Sequence, residues 1–415
     1  MVSHGVLLDR GSDFSNLRPV QFLCKGDYVL FMTSHLSHLE CSRCGQVHDA
    51  HELQQRCGCG GALLVRYDLD GLELDRVRQR PPGPWRYREL LPVFEDPVSL
   101  GEVETPLLFL PRISERLGVE TWLKDEGPMP GGTFKARGAS VALSRAVELG
   151  VKRVVMNTAG NAGGTWSLYA ARAGLEITVV MAESAPVANQ TEVRVAGGNL
   201  ELVDGSIADA GRRAVEIADE TGAFLAMTFF EPYRLEGKKT AFLEIFDRMG
   251  DQVTMKMPRT IVMPVGGGVA AIAEAKTADE VRAAGWTGGI APKIVGVQTA
   301  NCAPIVRAFE SGETDVRSWE GDPMTIAAGL RVPAPVEGTL VLEHVRASGG
   351  SMVAVSEDAI RSAIGELASK EGVFACPEGA ATLAAALDLS DRGELEGPVV
   401  LYNTGSGAKY VDALS

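Results

Sequence analysis

Lys124-Asp125-Glu126-Gly127-Pro128-Met129-Pro130-Gly131-Gly132-Thr133-Phe134-Lys135-Ala136-Arg137-Gly138 is the stretch that decides the fold. Its glycines and prolines make a turn that feeds a helix, and Lys135 falls at the helix start. A solvated cation is awkward there, because the first turn of a helix carries partial positive charge. A lysine whose amine is taken up in a covalent imine escapes that conflict.

Outward from this turn, strand and helix patterns alternate from Leu100 on. Residues 151–156 (Val-Lys-Arg-Val-Val-Met) read as a buried strand, 157–160 as a turn, 161–173 as a helix rich in Ala and Leu, and 177–181 as the next strand. The rhythm recurs through 260–265 and 398–402, which predicts parallel sheets covered on both faces by helices. No internal repeat interrupts it.

Three further loops sit where such strands end. Thr158-Ala159-Gly160-Asn161-Ala162-Gly163-Gly164 enters a helix, and free N–H groups at a helix start bind anions such as a carboxylate. Asn161 there offers its amide to a ligand oxygen, or simply caps the helix. Pro264-Val265-Gly266-Gly267-Gly268 lets several N–H groups converge on one phosphate, although three glycines also mark an ordinary turn. Leu401-Tyr402-Asn403-Thr404-Gly405-Ser406-Gly407 brings a hydroxyl to a strand end. No G-x-G-x-x-G occurs, which disfavours a dinucleotide.

Closer to the N-terminus, Cys41-x-x-Cys44 is followed twelve residues on by Cys57-x-Cys59. Two thiolate pairs separated by a short hairpin can close a tetrahedron around zinc, and glycines after each pair let the backbone turn under a metal. Four thiolates leave no open position, so such a site is structural. The second pair is one residue tighter than the usual gap, and a loop of free thiols is the competing interpretation. His48 and His51, between the pairs, read as surface histidines. Residues 62–65 then form an apolar strand, and Pro81-Pro82-Gly83-Pro84 reads as linker.

The bulk numbers narrow the function. The chain has 415 residues, 45% hydrophobic and 23% charged, with a net charge of −14. Its length suits two α/β domains plus an appendage. The acidic balance argues against a nucleic-acid or acidic-membrane binder, because those surfaces need basic patches. No apolar run reaches bilayer length and no secretory pattern opens the chain, so a cytoplasmic location is expected. Seven cysteines, four of them clustered, fit a metal site plus ordinary thiols better than a disulfide framework. Residues 1–35 read as an extension, poorly ordered, with Met32 as an alternative start.

In this order, the motifs resemble the fold-type-II pyridoxal-5′-phosphate (PLP) enzymes, and specifically the threonine synthases, over residues 36 to 412. The resemblance extends to Trp85-Arg86-Tyr87-Arg88-Glu89-Leu90-Leu91-Pro92, to Pro232-Tyr233-Arg234-Leu235-Glu236-Gly237-Lys238-Lys239-Thr240 and to Cys376-Pro377-Glu378-Gly379-Ala380-Ala381-Thr382. It implies a tryptophan synthase β-like fold: two doubly wound α/β domains with an N-terminal zinc-ribbon-like segment at 36–70, a linker at 71–100, and a PLP-dependent region at 101–415 whose smaller subdomain spans about 140–235. It implies Lys135 as the Schiff-base lysine, Asn161 at the cofactor's ring oxygen, Gly266, Gly267 and Gly268 at its phosphate, and Thr404 facing its ring nitrogen. It further implies Thr158, Ala159, Gly160 and Ala162 around the substrate carboxylate and Arg234 at a distal phosphate. A homo-oligomer, as a dimer, and structural zinc on Cys41, Cys44, Cys57 and Cys59 follow from the same likeness.

The expected reaction turns O-phosphohomoserine and water into threonine and phosphate. Some positions depart from the family. Phe230 stands where relatives with the Pro-Tyr-Arg string often carry lysine, Val269-Ala270-Ala271 follows the glycine loop, and Gly131-Gly132-Thr133 replaces the usual Thr-Gly-Ser. These departures leave room for a paralogue acting by β-replacement or β-elimination on a phosphoserine-, serine- or threonine-like amino acid. A non-catalytic protein on the same scaffold is the third expectation, and the intact Lys135, Asn161 and Thr404 speak against it.

Overall fold

The computed structural model describes residues 34–158, 160–321 and 323–414. The Met32 start, nearly all of the expected extension, and Ala159 lie outside the described residues. The first sheet is antiparallel, in the order β2-β1-β3, from β1 (Leu36–Cys41), β2 (Val47–His48) and β3 (Leu63–Tyr67). Its alternating apolar residues Leu39, Leu63 and Val65 are buried in one core with Ala139, Leu143, Val154 and Tyr169. The cysteine segment is therefore docked on the body of the protein. Residues 71–100, expected as a linker, also contribute core: Leu74, Val77, Tyr87 and Leu90 pack with Phe242 and Phe246.

The chain then lays down β4 (Leu107–Phe109) and β5 (Thr121–Asp125). It leaves them to build a four-stranded parallel sheet from β6 (Arg153–Asn157), β7 (Glu176–Ala182), β8 (Asn199–Val203) and β9 (Phe224–Leu225), in the order β8-β7-β6-β9. It returns with β10 (Thr260–Pro264), β11 (Lys293–Thr299), β12 (Ser351–Val355) and β13 (Val399–Asn403). The returning strands join the early ones in a six-stranded sheet, β12-β11-β10-β13-β5-β4, in which β4 alone pairs antiparallel. Every residue of β13 is buried, which is why the run Val-Val-Leu-Tyr-Asn shows no alternation.

Five of the helices border the site: α1 (Lys135–Glu148), α2 (Ala162–Ala173), α3 (Tyr233–Met249), α4 (Val269–Ala283) and α5 (Pro377–Asp391). The first and third meet backbone to backbone. A Cβ on Gly138 would lie 2.9 Å from the Arg234 carbonyl oxygen, and one on Gly237 only 2.0 Å from that of Arg137. The contact presses the first turns of α1 and α3 together. Below it, the fully buried Arg137 donates to Glu126 at 2.6 Å, Glu244 at 2.7 Å, Thr240 at 2.8 Å and Thr105 at 2.9 Å. Lys124 donates to Glu244 at 2.6 Å. Burial alone would raise the Glu244 carboxyl, but Arg137 and Lys124 hold it below the usual carboxylate range. Among the described residues no helix is long and apolar enough to cross a membrane.

Candidate active site

Lys135 opens α1, and its Nζ lies 4.5 Å from the centroid of the Phe134 ring. No carboxylate among the described residues pairs with it. Burial pushes its amine down to about 8; the Glu378 charge opposes that shift and the Arg234 charge adds to it. The turn before it is fixed from the far end of the chain. The Thr404 carbonyl accepts from the Phe134 N–H at 3.0 Å and from the Thr133 hydroxyl at 3.1 Å. That bond puts the Thr404 loop, at the end of β13, beside the lysine. The Thr404 hydroxyl is buried 3.5 Å from the Cys376 Sγ.

Asn161 precedes α2 and makes no side-chain cap bond, so its amide is turned to another use. Its Nδ2 donates to the Tyr410 hydroxyl at 2.8 Å, and that hydroxyl donates to Glu378 at 3.0 Å. The same Glu378 oxygen accepts from the Gly329 N–H at 2.7 Å, while its second oxygen is buried with no partner among the described residues. Upstream, Thr158 Oγ1 accepts from the Gly160 N–H at 3.1 Å, which curls the loop over the start of α2. Ala162 is the first residue of that helix.

Gly266, Gly267 and Gly268 link β10 to α4 and leave a helix start free of side chains. A Cβ at Gly266 would come within 2.1 Å of the Gly329 carbonyl oxygen, and one at Gly268, whose φ is +82°, within 2.1 Å of Val341. These positions accept glycine for steric reasons, and N–H groups of the loop and of the first turn of α4 stay available to an anion. Gly267 faces Thr228, whose hydroxyl accepts from Arg234 Nη1 at 3.3 Å. The Arg234 guanidinium is 6% exposed and stacks on Trp166 at 4.6 Å. It donates to the Glu231 carboxylate and to the Ala226 carbonyl, and three of its five N–H donors are thereby used.

The expected residues thus converge. Lys135 and Thr404 share the lysine turn, Arg234 and the glycine loop meet at Thr228, and Asn161 reaches Lys135's surroundings through Tyr410 and Glu378. A lysine without a counter-ion, a glycine cradle at a helix start and a neutral hydroxyl suit PLP's aldehyde, phosphate and ring nitrogen. Tyr410, Glu378 and Glu231 were not assigned from sequence. Glu378 and Lys238 lay in motifs whose residue roles periodicity does not reveal, and Tyr410's role depends on the fold closing.

The four thiols form a second, separate cluster. The sulfurs of Cys41, Cys44, Cys57 and Cys59 all lie within 4.8 Å of one another, with Cys41–Cys59 at 3.4 Å and Cys44–Cys57 at 3.7 Å. Bonds of 2.3 Å to a tetrahedral zinc imply edges of about 3.8 Å, so the donor set fits. A Cβ on Gly61 would sit 2.6 Å from the Cys41 Sγ, which accounts for glycine there. Neither His48 nor His51 belongs to the cluster.

Comparison with known proteins places the chain. Residues 98–405 match the family model described as pyridoxal-phosphate dependent enzyme. The chain is 33% identical to the threonine synthase of Methanosarcina acetivorans over 89% of its own length and 91% of that protein's. It is 34% identical to the threonine synthase of Methanocaldococcus jannaschii over 90% and 93%. Among solved structures it is similar to maize serine racemase, with a TM-score of 0.62 and 25% identity over 73% of this chain and 88% of that one. A solved bacterial-type threonine deaminase, that of T.th., gives 0.61 and 28% over 73% and 92%.

Proposed function

The chain belongs to the threonine synthase family of pyridoxal-phosphate dependent enzymes, and from that premise we propose that it converts O-phosphohomoserine and water into threonine and phosphate. The observation that carries this is Lys135, an amine with no counter-ion, at the meeting point of the Asn161, glycine and Thr404 loops. PLP, when bound, supplies an electron sink for charge developing on the substrate.

The chain's own residues do the rest. Gly266, Gly267 and Gly268 with the start of α4 hold the cofactor phosphate. Thr404 offers a neutral hydroxyl to the ring nitrogen, which holds no proton there as a carboxylate would and so favours elimination and replacement over transamination. Asn161 orients the ring oxygen and is itself braced by Tyr410 and Glu378. Thr158, Ala159, Gly160 and Ala162 offer the start of α2 to the substrate α-carboxylate. The Lys135 amine, depressed toward neutrality by burial, moves the proton at the substrate α-carbon. Arg234 keeps two free donors for the distal phosphate. Zinc on the four thiolates holds the N-terminal sheet together and takes no part in the reaction.

One observation supports a second reading. Phe230 lies 4.9 Å beneath the Arg56 guanidinium and adds no charge of its own. A paralogue using a phosphoserine-like substrate is consistent with that. Incubation of the holoenzyme with O-phosphohomoserine, with phosphate assay and product mass, tests the first reading. Threonine formed at ordinary enzymatic rates supports it. No threonine, with turnover of phosphoserine instead, replaces it with the second.

A further inference from the structure

Among the described residues four lysines have less than a tenth of their surface exposed: Lys124, Lys238, Lys239 and Lys276. Three are answered by carboxylates. Lys124 pairs with Glu244 at 2.6 Å, Lys239 with Glu236 at 2.7 Å and with Glu280, and Lys276 with Glu236 at 3.1 Å and with Glu280. Lys238, 5% exposed, has no hydrogen bond and no ion pair among the described residues; its Nζ rests 4.5 Å from the Phe134 ring centroid. That ring is the one that carries the Lys135 Nζ, also at 4.5 Å. The two amines therefore lie within twice that distance of each other.

The position follows from the helix contact. Gly237 allows the second turn of α3 to touch the Arg137 carbonyl, so Lys238 is pressed toward the lysine turn. Arg234, one turn back on α3, falls on the same side of the helix. Burial, and then the charges of Lys135 and Arg234, push the Lys238 amine well below its usual range. A buried cation without a partner is strongly disfavoured unless a ligand completes it. The Arg234 charge is already balanced by Glu231, and the Lys135 amine is committed to the cofactor. What remains uncompensated in the pocket is the charge of Lys238.

We propose that Lys238 is a specificity-determining residue that binds the distal anionic group of the substrate, beside Arg234, as the pocket's uncompensated cation. The inference rests on the reading of the substrate as an amino acid with a distal phosphate, and it locates the charge that Phe230 does not provide.

The test compares the native holoenzyme with Lys238→Met and Lys238→Arg, measuring kcat and KM for O-phosphohomoserine, cofactor occupancy by absorbance, and binding of inorganic phosphate. The Met variant is expected to raise KM about tenfold to a hundredfold, the cost of one charge-assisted contact, and to weaken inorganic phosphate in parallel. Cofactor occupancy stays full, and the Arg variant recovers most of the KM. An unchanged KM overturns the proposal. So does a fall in cofactor occupancy, which assigns the amine to the cofactor phosphate, or a fall in kcat alone, which assigns it to tuning Lys135. Lys238→Gln repeats the measurement if the Met variant does not fold. Should the native enzyme release no phosphate from phosphohomoserine, the functional reading fails by itself. The inorganic phosphate titration then still decides: weaker binding by the Met variant supports Lys238 as the anion site, and equal binding overturns it.

Discussion

Two aromatic rings in this molecule each carry two lysine amines, and they are finished in opposite ways. Around Tyr67 stand Lys239 at 4.4 Å and Lys276 at 4.8 Å, and Glu236 and Glu280 complete them, with the Tyr67 hydroxyl donating to Glu236 at 2.8 Å. Around Phe134 stand Lys135 and Lys238, both at 4.5 Å, with no carboxylate paired to either. Lys238 and Lys239 are neighbours in sequence, so the difference is one of helix face. A cluster built for stability contains its own counter-charges; a cluster built for ligands is left short of them.

The sharpest break in the comparison comes at Lys135. Lys135→Ala is expected to abolish turnover, a loss of several orders of magnitude, because covalent attachment and proton transfer go together. Borohydride reduction and peptide mapping of the native holoenzyme should place the cofactor mass on Lys135. A label on Lys238 would reverse the roles of the two amines.

The same substitution at adjacent positions should then give unequal stabilities. Lys239→Met leaves two buried carboxylates with one cation and is expected to cost about 3–5 kcal/mol, read as a lower urea midpoint. Lys238→Met removes an unpaired cation, and the apo-protein should change by less than about 1 kcal/mol or become more stable. Equal losses at the two sites would erase the distinction.

Titration separates Lys135 from ordinary lysines. With its amine brought down to about 8 from 10.5, acylation of Lys135 in the apo-protein, followed by peptide mass, should level off above about pH 8 while exposed lysines keep accelerating. The stability sign agrees: between about pH 8 and 10.5 the unfolded chain holds more protons on this residue, so its contribution to apo-protein stability rises with pH. A labelling midpoint near 10.5 would contradict the depressed amine. The smallest effect on turnover belongs to the thiol cluster. About one zinc per chain is expected by elemental analysis, and Cys44→Ser should lower thermal stability while cofactor absorbance persists. Protein that is full-length, folded and free of zinc would remove the metal from this account.

Much of this was legible in the sequence, and the physical reasons are local. The strands read near 151–156, 177–181, 260–265 and 398–402 fall on β6, β7, β10 and β13, because strands buried on both faces are continuous apolar runs. The glycine loop was visible because steric exclusion leaves no alternative residue. Residues 71–100 read as linker because Pro81-Pro82-Gly83-Pro84 dominates the pattern, although Leu74, Tyr87 and Leu90 on either side are core. The significance of Lys238 was hidden because a missing partner is a non-local property: Glu280, which helps complete its neighbour Lys239, lies 41 residues from that lysine. Asn161's use of Tyr410 spans 249 positions, beyond any window of periodicity.

The strand order has a consequence in time. β13 lies between β10 and β5, so a chain growing from its N-terminus makes both neighbours well before the strand that separates them. Until β13 inserts, β5 and β10 each present an unpaired edge, which is open to pairing with other chains. The Thr404 carbonyl that anchors Phe134 arrives with the same strand. The half-made protein therefore has neither a closed large sheet nor a fixed lysine turn, and gains both in a single late event.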